Sequence, residues 1–209
     1  MGFLPSLPER TNLADVLKAF PKGWAPLLVA HDDILRGPSP LSIAERELIA
    51  AYVSGLNGCR FCTNAHTVYA ESYGMPESVV EACLHDLDGA PIDERLKPIL
   101  RYAGKLTKAP ETVDKTDVEA ILAAGWSEEV VADTAMVVAL FNFMNRIVMG
   151  HGVDAFADYY AKRLAMARAR PLDERRTANE RDLGSSHYQD YGRMLGLLSA
   201  DRADTRRPA

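Results

Sequence analysis

The sequence predicts an all-α protein, on three observations. Apolar residues recur at helical spacing, as in Leu96, Ile99, Leu100, Ala103 and Leu106, which share one stripe. No stretch shows the strict alternation of apolar and polar residues that marks a half-buried strand. Glycine and proline stand where the apolar stripes end, at Gly37-Pro38, Gly74 with Pro76, Gly125 and Gly150 with Gly152.

Each element follows in order. Residues 13–20 and 24–36 form a helical approach closed by Gly37, Pro38 and Pro40. Ser42 caps a helix over 43–56, and Glu45 three residues on completes a capping box. Residues 48–53 are apolar or aromatic all round, so the middle of that helix is buried. Asn57-Gly58 forms a turn, and a helix over 59–73 opens at Cys59 and stops at Gly74 and Pro76. Helices over 77–86, 92–107 and 114–124 come next. The longest helix begins at Ser127 and carries the apolar run 135–141 through the core. A last helix lies around 154–168. The stretch from Ser42 to Asn57 echoes the one from Ser127 to Asn142, a sign of paired helical hairpins. After Pro171 the chain turns charged and polar. It reads as a helical domain over 1–170 and an extension over 171–209, which lies on the surface, reaches a neighbouring subunit or stays partly unfolded, with 201–209 frayed.

With 209 residues, 47% hydrophobic and 25% charged, the chain has room for one full core. A formal net charge of −5 argues against a dedicated nucleic-acid surface. The N-terminal MGFLPSLPER lacks the basic and apolar regions of a signal peptide. The most apolar window, 135–141, is too short to span a bilayer and is followed by Asn142, Asn145 and Arg146. The expectation is a cytoplasmic protein with no membrane or nucleic-acid partner. The apolar runs 48–53 and 135–141 leave little polar surface on two helices, which points to association between copies. In the cytoplasm, a Cys-x-x-Cys is catalytic or metal-binding rather than a structural scaffold.

That motif lies in ELIAAYVSGLNGCRFCTNAH, which holds Glu47, Cys59, Cys62 and His66. On one helix Cys59, Cys62 and His66 fall at i, i+3 and i+7, along one face. A thiol reacts as its thiolate, so a neighbour must stabilise the anion or take the proton. His66, one turn beyond Cys62, is expected to do so directly and to make Cys62 the more reactive thiol. Cys59 has the opposing advantage of the positive helix start. Glu47 sits on the preceding helix, and a hairpin returns its carboxylate over the thiols as a proton acceptor, with burial expected to raise its pKa. A zinc site built on Cys59, Cys62 and His66 is the rival, with Cys83 and His85 the available second pair. Buried core cysteines beside a satisfied histidine are the blander alternative. Cys83 reads as a small buried hydrophobe, His31 and His151 as surface or capping residues near helix ends, and Met136, Met144 and Met149 as a core stripe. Asn142, Asn145 and Arg146 interrupt an apolar helix and are expected to cross-link helices rather than line a pocket.

On these residues the chain resembles the AhpD-like alkylhydroperoxidases of the carboxymuconolactone decarboxylase superfamily. Their pattern of Glu, eleven residues, Cys-x-x-Cys, three residues and His is matched at Glu47, Cys59, Cys62 and His66. The run VVALFNFMNRIVMGHGVD is similar to the longer subgroup of peroxidase-related enzymes. The resemblance covers about residues 10–165. It implies an all-helical AhpD-like fold, assembly as homo-oligomers, and reduction of a hydroperoxide substrate without a cofactor or metal. It also implies Cys62 as the attacking thiolate, Cys59 as the resolving thiol, and His66 with Glu47 as the proton relay. An external dithiol or protein reductant closes the cycle. A disulfide oxidoreductase acting on a protein or lipoyl partner is the alternative enzyme, and a zinc-stabilised interaction protein the alternative outside enzymes.

Overall fold

The computed structural model describes residues 2–183 and 187–199, which form helices and no strand. The helices are α1 (Leu13–Ala19), α2 (Trp24–Arg36), α3 (Ile43–Leu56), α4 (Arg60–Ser72), α5 (Val79–His85) and α6 (Leu96–Lys108). After a 3-10 turn at Pro110–Thr112 come α7 (Lys115–Ala123), α8 (Glu128–Gly150), α9 (Ala157–Arg168), α10 (Leu172–Leu183) and α11 (Tyr188–Met194).

The centre of the molecule is α3. Its start is the expected capping box: Ser42 Oγ accepts from the Glu45 amide at 3.2 Å, and Glu45 returns a carboxylate oxygen to the Ser42 amide at 2.6 Å. From Arg46 to Ser54 every residue is buried, because α4, α5, α6 and α8 pack around it. Asn57 ends α3, and Gly58 at φ 72° supplies the left-handed step that folds α4 back as a hairpin. The buried stripe of α6 is Leu96, Ile99, Leu100 and Ala103, as the periodicity predicts. That helix starts at Leu96 rather than 92, because Asp93 turns the chain by accepting the Arg95 amide at 2.9 Å. Phe141 of α8 is a large buried wedge in this core, of the kind whose truncation to alanine costs about 3–5 kcal/mol.

The two echoing stretches do meet. Packed against each other, α3 and α8 are joined at Asn57 and Asn142, whose side chains hydrogen-bond at 3.2 Å. The polar break in α8 cross-links helices as expected: Asn145 accepts from Asn57 at 2.9 Å and donates to Ser54 Oγ at 3.0 Å.

Four expectations are corrected here. The methionine stripe is not core: Met144 is buried, but Met136 and Met149 are 53% and 45% exposed, because they fall on the outer face of α8. His31 is neither surface nor capping; it is buried inside α2, with its Nδ1 donating to the Leu27 carbonyl at 2.7 Å. The run 48–53 lies wholly inside the protomer and offers no surface for association. The window 135–141 is short, yet the full 23-residue α8 is long and apolar enough to cross a membrane. Its inner face packs instead on α2, α3, α6 and α7.

The described part of the C-terminal extension is helical and lies against the domain. The bidentate Arg168 pair with buried Glu71, at 2.6 and 2.8 Å, fixes α9 on α4. On the other side α11 packs along α2, its first amides held by the Asp32 carboxylate. The expectation of fraying at 201–209 concerns residues outside those described.

Candidate active site

Glu47 occupies the point where α3 becomes enclosed on every side, and its side chain is 0% exposed. A carboxylate taken out of water persists only when it is paired. His66 of α4 donates from Nδ1 to Oε2 at 2.5 Å, and Arg36, the last residue of α2, brings Nη2 to 2.5 Å from Oε1. Burial pushes the Glu47 pKa upward, as the sequence led us to expect. Arg36 and His66 together outweigh it and hold the group below its ordinary value of 4.5. The expected rise is therefore reversed, and the cause is a cation from a different helix.

Arg36 is the partner of Glu47 that motif spacing missed. The faces of Tyr69, Tyr73 and Tyr188 surround its guanidinium at 5.6, 5.3 and 5.5 Å. The signal was present in principle: a glutamate inside an apolar helix demands a buried cation, and Arg36 closes the helix just before it.

His66 is largely buried, its ring standing edge-on to Phe141 at 4.4 Å. With Nδ1 committed to Glu47, Nε2 is the nitrogen left to accept or pass a proton. His66 also lines a cavity of about 650 Å³.

The two sulfurs lie in a small apolar cluster with Val148, flanked by Leu13, Phe61 and Val153. Cys59 is 1% exposed and Cys62 4%. The Cys62 thiol donates to Cys59 and lowers its pKa; Asn145 helps, while burial opposes. Cys62 is pushed well up, by that same bond and by burial. Of the two sulfurs, Cys59 is thus the one whose ionisation the pair favours. From the sequence His66 is expected to make Cys62 the more reactive thiol, whereas these shifts favour ionisation at Cys59. The histidine is engaged by Glu47, and the hydrogen bonds of the sulfurs run to each other and to Asn145. Asn145, 1% exposed, therefore does more than cross-link helices: it ties the sulfurs to the start of the hairpin. Tyr160, edge-on to Phe61 at 5.8 Å, lines the cavity.

The other candidates fall away from this site. Cys83 is buried in the main core, and burial lifts its thiol to about 11. His85 is exposed at the end of α5. Among the described residues no three His, Cys, Asp or Glu side chains stand in a metal-binding group.

Residues 23–88, which contain Arg36, Glu47, Cys59, Cys62 and His66, match the model of the carboxymuconolactone decarboxylase family. The uncharacterized protein YdfG of Bacillus subtilis is 29% identical over 117 residues, covering 54% of this chain and 78% of that protein. A crystal structure described as an alkylhydroperoxidase AhpD core, an uncharacterized peroxidase-related protein from Ralstonia eutropha JMP134, superposes with a TM-score of 0.63 at 27% identity, over 66% of this chain and 73% of the other. The uncharacterized peroxidase-related protein from Silicibacter sp. TM1040 gives 0.63 at 26% identity, over 68% and 74%. Residues 23–88 thus carry a carboxymuconolactone decarboxylase family domain, and in its helical fold the chain is similar to AhpD-like, peroxidase-related proteins.

Proposed function

We propose that the protein is a cytoplasmic thiol peroxidase that reduces hydroperoxides with the Cys59–Cys62 dithiol, without a cofactor or metal. The observation that carries this is the hydrogen-bonded sulfur pair, held by Asn145 one helical turn from a histidine that Glu47 orients at 2.5 Å. A thiolate, an acceptor for its proton and a second thiol to resolve the product are what peroxide reduction by cysteine requires.

In the cycle, His66 holds the proton that Cys59 sheds on becoming a thiolate. Cys62 passes its own proton to Cys59 along their hydrogen bond and attacks the distal oxygen of the hydroperoxide. The O–O bond breaks, the alkoxide leaves with the proton from His66 as an alcohol, and Cys62 becomes a sulfenic acid. Cys59 then attacks the Cys62 sulfur, and the hydroxide departs with the Cys59 proton as water. The two thiol hydrogens have left on the two oxygens, and the sulfurs are joined as a disulfide. An external dithiol, small or carried on a protein, restores them by exchange. Cys62 is assigned the attack because the family pattern gives it that role. Glu47 and Arg36 are positioning groups: Glu47 fixes the His66 ring, and Arg36 keeps Glu47 ionised.

Copies of the chain associate, in this proposal, through the outer face of α8, where Met136 and Phe143 are 53% and 49% exposed.

Stopped-flow oxidation of the reduced protein by hydrogen peroxide and by cumene hydroperoxide tests the reading. Rates well above that of free cysteine are expected; rates equal to it would defeat the proposal.

A further inference from the structure

The sulfur pair is sealed inside the protomer. Cys59 and Cys62 are both buried, and the partly buried side chains packed over their cluster are Leu13, Phe61 and Val153. Phe61 belongs to α4, next to Cys62. Leu13 and Val153 come from two distant segments, the N-terminal strap 2–13 and the loop 151–156 that joins α8 to α9. Thiol–disulfide exchange requires the attacking sulfur to touch one of the joined sulfurs, so its rate depends on access. A cover of this kind has to move before an external dithiol can act.

Strap and loop are clasped to each other. The Phe3 amide donates to the His151 carbonyl at 3.2 Å, and the Asp154 amide to the Thr11 carbonyl at 2.9 Å. Arg10 reaches Asp154 at 3.4 Å and stands over the Phe156 ring at 4.6 Å. Asn64 of α4 donates to the Ala155 carbonyl at 3.2 Å and seats the loop on the helix that carries Cys62. Two features make this clasp weaker than the core beneath it. Its ion pair is open to solvent, with the Arg10 side chain 62% exposed, and such pairs hold weakly. Phe156 has φ 45°, a left-handed conformation that a bulky residue adopts only under constraint. Asp154 supplies that constraint: one carboxylate oxygen accepts from the Phe156 amide at 2.6 Å, and the other faces Arg10, which covers the Phe156 ring. Release of Arg10 and Asp154 therefore also lets Phe156 leave its strained conformation.

We propose that strap 2–13 and loop 151–156 form a latch over the Cys59–Cys62 pair, held by Arg10 and Asp154, and that its opening admits the dithiol that restores the pair. The inference rests on the peroxidase reading for the disulfide and adds the step that regulates its return. With the latch open, a thiolate of the reductant attacks one sulfur of the disulfide. The S–S bond breaks and its electron pair leaves on the other sulfur. The second thiol of the reductant then displaces the first sulfur from the mixed disulfide. Each sulfur released takes up the proton its attacker gave up, so the reductant ends as a disulfide and Cys59 and Cys62 as thiols. Opening is local and leaves the α3 core in place.

The disulfide is formed with diamide, so that no peroxide chemistry enters, and its reduction by dithiothreitol is followed by alkylation and mass spectrometry. Arg10→Ala removes the ion pair and the ring contact and is expected to speed reduction about fivefold. Asp154→Ala, which also frees the Phe156 amide, should speed it about tenfold. Arg101→Ala breaks an exposed pair with Asp88 on α6 and should leave the rate unchanged. Hydrogen exchange of the Asp154 amide should rise in Arg10→Ala while the α3 amides keep their protection. Equal reduction rates in wild type, Arg10→Ala and Asp154→Ala would overturn the latch. A faster rate shared by Arg101→Ala, or accompanied by lost protection in α3, would overturn it as well. Fast oxidation by hydroperoxides, with both latch variants reduced at the wild-type rate, removes the latch and keeps the peroxidase reading. Faster reduction in the variants, with thiols that meet peroxide no faster than free cysteine, removes the peroxidase reading and keeps the latch. A pair that diamide cannot close would remove both.

Discussion

Arg36 and Glu47 form an ion pair at 2.5 Å with side chains 3% and 0% exposed, joining the end of α2 to the middle of α3. The pair is buried, so its parts are unequal in effect. Removing one partner strands the other charge in the core, whereas removing both leaves only volume to fill.

Glu47→Gln is therefore expected to destabilise the fold by about 3–5 kcal/mol, the range for breaking a buried pair, measured by urea unfolding. Arg36→Met combined with Glu47→Gln should recover a large part of that loss. Both variants should slow peroxide reduction about 10–1000-fold, because His66 loses its acceptor. Equal instability in the single and double variants would contradict the pairing.

The pH dependence of stability has two separate windows. His31 titrates at about 4 in the folded protein against 6.5 when unfolded, because burial disfavours its charged form. The unfolded chain binds the extra proton first, so stability falls as pH drops from 6.5 towards 4, by about 3 kcal/mol in all. Glu47 has a depressed pKa, so its contribution is complete above 4.5 and is lost as pH falls through the lower folded value. Urea melts of His31→Gln should be flat in the first window and unchanged in the second. A wild-type profile that is already flat between pH 6.5 and 4 would refute this assignment.

Mild peroxide treatment should remove two hydrogens from the peptide containing Cys59 and Cys62, with Cys83 untouched because its thiol titrates near 11. Mass spectrometry of the digested protein reads this directly. In Cys62→Ala, the pH at which Cys59 is alkylated by iodoacetamide should move upward, since the donor that lowers its pKa is gone. Oxidation confined to Cys83 would rule out the redox pair.

Asn145→Ala removes the partner of Asn57, Ser54 and both sulfurs at once. About 1–3 kcal/mol of stability should be lost for each buried group left unsatisfied. The Cys59 alkylation profile should shift upward in the same variant. A loss of stability with an unmoved thiol profile would make Asn145 a purely structural cross-link.

Met136→Glu with Phe143→Glu places two charges on the exposed apolar face of α8. The wild-type chain is expected to scatter light as an assembly, and the double variant as a 23.0 kDa monomer. An unaltered mass would move the interface elsewhere.

The helices were legible because their determinants are local. Ser42 and Glu45 cap within four residues, Asn57-Gly58 turns within two, and the stripe of Leu96, Ile99, Leu100 and Ala103 lies within one helix. Glu47, Cys59, Cys62 and His66 could be grouped for the same reason: a single hairpin carries all four. What the sequence by itself determined is thus the all-helical architecture and the chemical parts of the centre. Tertiary structure decided which charges those parts meet. Arg36 reaches Glu47 from another helix, and that contact reversed the direction of the Glu47 pKa. Asn145 arrives at the sulfurs from α8, and Tyr188 from the polar tail closes over Arg36. Exposure of Met136 and burial of His31 likewise depend on which face of a helix finds a neighbour. Periodicity records the hydrophobic stripe of one element; electrostatics inside a core depends on distances between elements, and those exist only once the chain has packed.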